Sequence, residues 1–230
     1  PAARFALGTL AAGITVASAV LGTISEFLAC VAVLLCSLAA GRRRGRVLPL
    51  AGLALSAAVA AGLTWAVAGN ALPDGLTESL EGQLTEHRVQ LWQDALRMAH
   101  HHAALGVGPG RFGELSTTTA HTLLSDGKPH SALLQRAAEE GVVGVALLGA
   151  TFCWMLYTLW RSPRPTPVAL TAAAALTGVA VTACVGNALS FTAVSVGAGV
   201  LAGLATARPL TEESPAQETR VRPRDDRLTP

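Results

Sequence analysis

VLPLAGLALSAAVAAGLTWAVAGNAL, residues 47–72, runs for twenty-six positions without a charged side chain. Crossing the hydrocarbon core of a bilayer takes roughly 20 apolar residues in a helix, so this stretch reads as a transmembrane span. On its N-terminal side stands Gly41-Arg42-Arg43-Arg44-Gly45-Arg46, four arginines within five residues. Such a cluster can hold nucleic acid or anionic lipid. Between two apolar runs it fits a cytoplasmic loop under the positive-inside rule, with a lipid bilayer and no nucleic acid as its neighbour. On the other side the span opens into a long polar segment, residues 73–141, which is therefore expected outside the cytoplasm.

The whole composition agrees. Of 230 residues 51% are apolar and 14% charged, against about 25% charged in soluble domains, and the mean hydropathy is +0.45. Residues 5–40 are apolar apart from Glu26 and small hydroxyl residues, too long for one crossing, and are divided here into two spans with a turn near Ser25 and Glu26. Beyond the polar segment, 142–160, 168–186 and 189–207 form three more, joined by the basic turn Arg161-Ser162-Pro163-Arg164-Pro165 and a turn at Gly186-Asn187. Residues 208–230 are Pro-rich, mixed in charge and without apolar periodicity, and are expected to be a disordered cytoplasmic tail.

The fold expected is thus an all-α membrane protein of about six transmembrane helices: three in 1–72, the extracytoplasmic loop 73–141, and three in 142–207. Twelve of the seventeen Lys and Arg residues then fall on the basic-loop side, as this orientation requires. The chain starts at Pro1 and passes directly into a span, so earlier spans are expected to be missing. Cys30, Cys36, Cys153 and Cys184 all lie in apolar runs and read as buried helix residues.

Function has to be sought in the polar segment, which with its approach carries all six histidines: His87, His100, His101, His102, His121 and His130. Residues 85–99 read as an amphipathic helix with Val89, Trp92, Leu96 and Ala99 at helical spacing and Gln90, Gln93, Asp94 and Arg97 around the rest. Arg88 and Trp92, four apart, share a side. His100-His101-His102 are turned about 100° from one another on a helix and cannot share one ion, so no metal site is assigned. Gly106-Val107-Gly108-Pro109-Gly110 lacks the Lys-Ser/Thr of a phosphate loop and reads as a turn that positions Arg111 and Phe112. His130-Ser131 opens a second helix that runs to Glu140 and is interrupted at Gly141. On a regular helix His130 and Glu139 would face opposite sides.

Taken in order, Arg88-x-x-x-Trp92, Gly106-x-Gly108-x-Gly110-x-Phe112, His130, and Glu139-x-Gly141-x-x-Gly144 entering a span, the segment resembles the O-antigen ligase and polymerase superfamily. The chain departs from that pattern in having Ser131 where Asn is usual, and in having six spans where the family usually has ten or more. The resemblance implies a GT-C-like membrane glycosyltransferase in the cell membrane, without metal or nucleotide cofactor. It implies a glycan on undecaprenyl diphosphate as donor and a hydroxyl of a glycan, lipid or protein as acceptor. It further implies His130 and Arg88 as catalytic residues, His130 as general base and Arg88 on the diphosphate, with Arg111 and Glu139 binding substrate. The competing reading is a non-enzymatic polytopic protein, a transporter half or assembly scaffold whose loop binds a partner. The near absence of ionisable groups inside the spans argues against an ion-coupled transporter, and no GxS, HExxH or paired membrane Asp points to a protease.

Overall fold

The computed structural model describes residues 45–71, 86–120 and 127–207. Within them α1 is Val47–Ala68, α2 Glu86–His101, α3 Phe112–Leu115, α4 Thr117–Ala120, α5 Ala132–Arg161, α6 Thr166–Val185 and α7 Thr192–Thr206, with a 3₁₀ turn at Ala188–Ser190. Three of these helices, α1, α5 and α6, are long and apolar enough to cross a membrane. The two spans expected within 5–40 and the tail at 208–230 lie outside the described residues. The sixth expected span is shorter than its apolar run. α7 has 15 residues, about 22 Å of rise, because Asn187 and Ser190 spend part of the run on the 3₁₀ turn, Ser190 Oγ donating to Asn187 Oδ1 at 2.5 Å.

Local chemistry sets the helix ends. α1 tolerates Pro49 because that residue sits in the first turn, where its missing N–H has no intrahelical acceptor. It closes on a left-handed Asn70 (φ 51°): Asn70 N donates to Val67 O at 3.1 Å and Ala71 N to Ala66 O at 2.9 Å, the paired bonds of a Schellman cap. Pro167 stands in the first turn of α6, where its fixed φ suits helix entry.

α6 is the central helix, with α1, α5 and α7 packed around it. Small residues make this possible: Ala169, Ala172, Ala173 and Ala174 are all buried and allow the close approach that van der Waals packing in lipid requires. Leu50, Leu156, Leu159, Leu170, Leu176 and Ala205 complete this core.

The bundle has two chemically distinct ends. At one, Arg46 reaches across to the end of α5 and the start of α6. Its guanidinium donates to Thr166 Oγ1 at 3.2 Å, to Ser162 O at 2.7 Å and to Arg164 O, so the last arginine of the first basic run meets the second basic turn. Ser162 Oγ donates to Ala205 O at 2.7 Å, which brings the end of α7 to the same place. At the opposite end α2 lies across the ends of the spans. Leu91, Trp92, Ala95 and Leu96 pack with Ala68, Phe112, Leu134 and Ala138 in a second core. Trp92, 1% exposed, is therefore a core residue of this cap rather than an anchor at a lipid interface.

Candidate active site

The cap is stapled to α5 at one residue. Gly141 has φ 65° and ψ −153°, a conformation essentially restricted to glycine, and it bends α5 into a part ending at Glu140 and a more apolar part from Val142. The bend exposes main-chain groups that a straight helix would have used itself. The chain following α2 takes them up: Val107 N donates to Ala138 O and Gly108 N to Glu139 O, each at 2.9 Å, while Val142 N donates to Ala103 O at 2.8 Å. The approach is so close that a Cβ on Gly106 would strike the Glu139 main chain, and one on Gly141 would lie 2.6 Å from the carbonyl oxygens of Ala103 and Ala104. Two glycine groups that look independent in sequence are thus the two faces of one backbone-to-backbone joint.

Gly108 and Gly110 also have positive φ, and Arg111 N donates to Gly108 O at 3.3 Å. This turn drives Phe112 into the cap core, where it is fully buried. The chain then meets Asp94. Its Oδ2 accepts from Ser116 Oγ at 2.7 Å, Thr118 Oγ1 at 2.9 Å, Thr118 N at 3.1 Å and Thr117 Oγ1 at 3.2 Å. Oδ1 pairs with Arg97. Burial pushes the Asp94 carboxyl up, but the hydrogen bonds from Ser116 and Thr118, with Arg97, outweigh it and hold the group at about 2, below its ordinary 3.8.

Asp94 is the residue that sequence reasoning missed, having set it only among the polar side chains off the apolar positions of the helix. Two signals pointed to it. It lies three residues after Leu91 and four before Met98, on the flank of the apolar stripe, and the run Ser116-Thr117-Thr118-Thr119 supplies hydroxyl donors in need of a buried acceptor.

The four residues singled out in the sequence sit around this cap in different settings. Arg88 is half-buried on α2 and its Nη1 donates to Val185 O at 3.5 Å, a carbonyl at the C-terminal end of α6. Arg111 is exposed and pairs with Glu114 at 3.6 Å. Glu139 is only 5% exposed and accepts from Gln135 Nε2 at 3.4 Å. Among the described residues, then, none of these three pairs with another. A carboxylate at the C-terminal end of a helical segment is opposed by the helix dipole, so Glu139 is set to receive a cation or a donor.

His130 requires a correction. It does not open the second helix: Ser131 is the N-cap, its Oγ accepting from Leu134 N at 3.3 Å, and His130 stands before it at φ 51°. The rotation of 100° per residue does not extend to a residue outside the helix, so the opposite-faces argument for His130 and Glu139 falls away. Segment 117–120 forms a helical turn, with Thr118 N bound to Asp94. His100, His101 and His102 are exposed at the end of α2.

No curated protein and no solved structure matches the chain. Its sequence does match the O-antigen ligase family over residues 5–149. That interval takes in both faces of the glycine joint, Asp94, and all four candidate residues. Since the match covers well over half of the chain and the helices needed to span a membrane are in place, the chain belongs to the O-antigen ligase family.

Proposed function

We propose that the cap end of the bundle transfers a glycan from undecaprenyl diphosphate to an acceptor hydroxyl, with His130 and Arg88 in the catalytic roles. The acceptor oxygen attacks the anomeric carbon while the bond from that carbon to the diphosphate oxygen breaks. The hydroxyl proton passes to a ring nitrogen of the His130 imidazole, which acts as the general base. The departing diphosphate takes the bonding electrons and needs charge stabilisation more than a proton. A guanidinium supplies this through paired N–H bonds to phosphate.

The observation that carries this reading is the place of Arg88 inside the family match. It is held at the end of a membrane-length helix by a main-chain carbonyl, which leaves further N–H groups of its guanidinium to face a phosphate. A polyprenyl diphosphate whose chain lies in the bilayer presents its headgroup near the ends of spanning helices. Arg111, exposed on the turn, and Glu139, buried under it, serve as substrate-binding groups on either side. The meeting of Arg46 with the 162–166 turn supports a cytoplasmic basic end in the cell membrane, and hence a cap outside it.

The test uses transfer of a radiolabelled glycan by the full-length protein in membranes. His130 is best replaced by Asn, which tolerates positive φ and so removes the imidazole while keeping the backbone. Loss of a general base lowers transfer by about 10²–10⁴-fold. Arg88→Ala should cost a similar factor and Arg88→Lys less. Wild-type transfer by the His130→Asn protein would remove His130 from its role. Activity that persists in EDTA is expected.

A further inference from the structure

Asp94 is among the most heavily bonded side chains of the cap, yet nothing in the reaction just described uses it. It lies on α2 and grips a segment more than twenty residues away through Ser116, Thr117 and Thr118. That segment has a second contact. Thr119 Oγ1 donates to Gly113 O at 2.7 Å, and Gly113 lies flat against Gly127: a Cβ on Gly113 would stand 3.0 Å from both the Gly127 Cα and its carbonyl oxygen. Gly127 leads, through Lys128 and the buried Pro129, straight to His130. A continuous run of bonded and touching groups therefore joins a carboxylate on α2 to the residue before the N-cap of α5.

From this we infer that Asp94 is a positioning residue for glycan transfer: it fixes the 112–119 segment, and through the Gly113–Gly127 contact the stretch that delivers His130. The inference rests on His130 acting as the base. Asp94 itself touches no reacting atom. Its carboxylate suits the task because it collects four donors on one oxygen and a cation on the other, which a neutral amide cannot match. His130, at φ 51°, stands just outside α5, so the course of the chain before it and the N-cap Ser131 after it set where its backbone lies.

The experiment compares Asp94→Leu, Asp94→Asn and the loop-side variant Ser116→Ala/Thr118→Val in the full-length protein. Amide exchange at Thr118, whose N–H is bound to Asp94, reports the anchor without reference to catalysis. Steady-state transfer reports its effect. A base displaced by an ångström loses on the order of 10–100-fold. We expect faster Thr118 exchange and a kcat lower by about that factor in Asp94→Leu, with KM for the donor changed by less than about threefold. Asp94→Asn should be intermediate, and the loop-side variant should reproduce the kcat loss without adding to that of Asp94→Leu. Unchanged exchange in both Asp94→Leu and the loop-side variant overturns the anchor. Faster exchange with wild-type kcat overturns the positioning role. Should His130→Asn keep full transfer, the base assignment fails and with it the route through His130, while Thr118 exchange still decides whether Asp94 anchors the segment.

Discussion

Replacing Gly141 by Ala puts the glycine joint to a quantitative test. The backbone at φ 65°, ψ −153° costs a side-chain-bearing residue about 1–3 kcal/mol. The new methyl would also lie 2.6 Å from two carbonyl oxygens of the facing chain, well inside ordinary contact, so the 103–108 turn must retreat. Retreat lengthens the three bonds that seat it, Val107 N to Ala138 O, Gly108 N to Glu139 O and Val142 N to Ala103 O, each contributing about 1 kcal/mol. The combined loss is roughly 4–6 kcal/mol, concentrated in the joint. At about 1.4 kcal/mol per factor of ten, the Val107, Gly108 and Val142 amides should exchange on the order of 10³–10⁴-fold faster. Gly149→Ala serves as the control. That glycine lies in the same helix with nothing within 4 Å of its would-be Cβ, and Ala there should be neutral or stabilising by up to about 1 kcal/mol. If the three amides exchange in Gly141→Ala as slowly as in the control, the joint does not hold the cap.

Other expectations follow from the same contacts. A carboxylate held at about 2 instead of 3.8 contributes on the order of 2 kcal/mol. Because the folded value is the lower one, that contribution is complete above about pH 4 and vanishes as pH falls through about 2. Acid unfolding of the cap, followed by Trp92 fluorescence, should therefore shift to higher pH in Asp94→Asn. Arg46→Ala removes charged donors from three turn groups and should lower stability in detergent by on the order of 2 kcal/mol, with Arg46→Lys falling between because an ammonium cannot fork to several carbonyls. A single cysteine at His102, exposed at the end of α2, should react with an impermeant maleimide from outside intact cells. Labelling only after lysis would invert the proposed orientation.

How much of this could be read from the sequence follows from which forces were local. Spans announce themselves because apolar length is a property of one contiguous run. α1 and α6 end within a few residues of where hydropathy places them, and Ser131 and Gly141 mark helix boundaries by their own chemistry. The glycines of 106–110 and 141 were each recognised as interruptions. That they fit one another is a fact about tertiary distance, which no spacing encodes. Asp94 was misplaced for the related reason that a helical wheel assigns faces by periodicity, whereas its burial is set by hydroxyl partners more than twenty positions away. His130 and Glu139 were compared by helical rotation because the helix start was placed one residue early.

The joint at Gly141 is made wholly of main-chain atoms, and this decides where the cap can vary. Side chains at 103, 104, 105, 107 and 109 take no part in its three hydrogen bonds, so they can be exchanged for others without unseating it, provided that glycine stays at 106 and 141. Leu105, 74% exposed, already points away from it. The rim of the cap is in effect a mounting with a fixed base and an interchangeable surface. A library confined to those positions should leave the fold's melting behaviour unchanged.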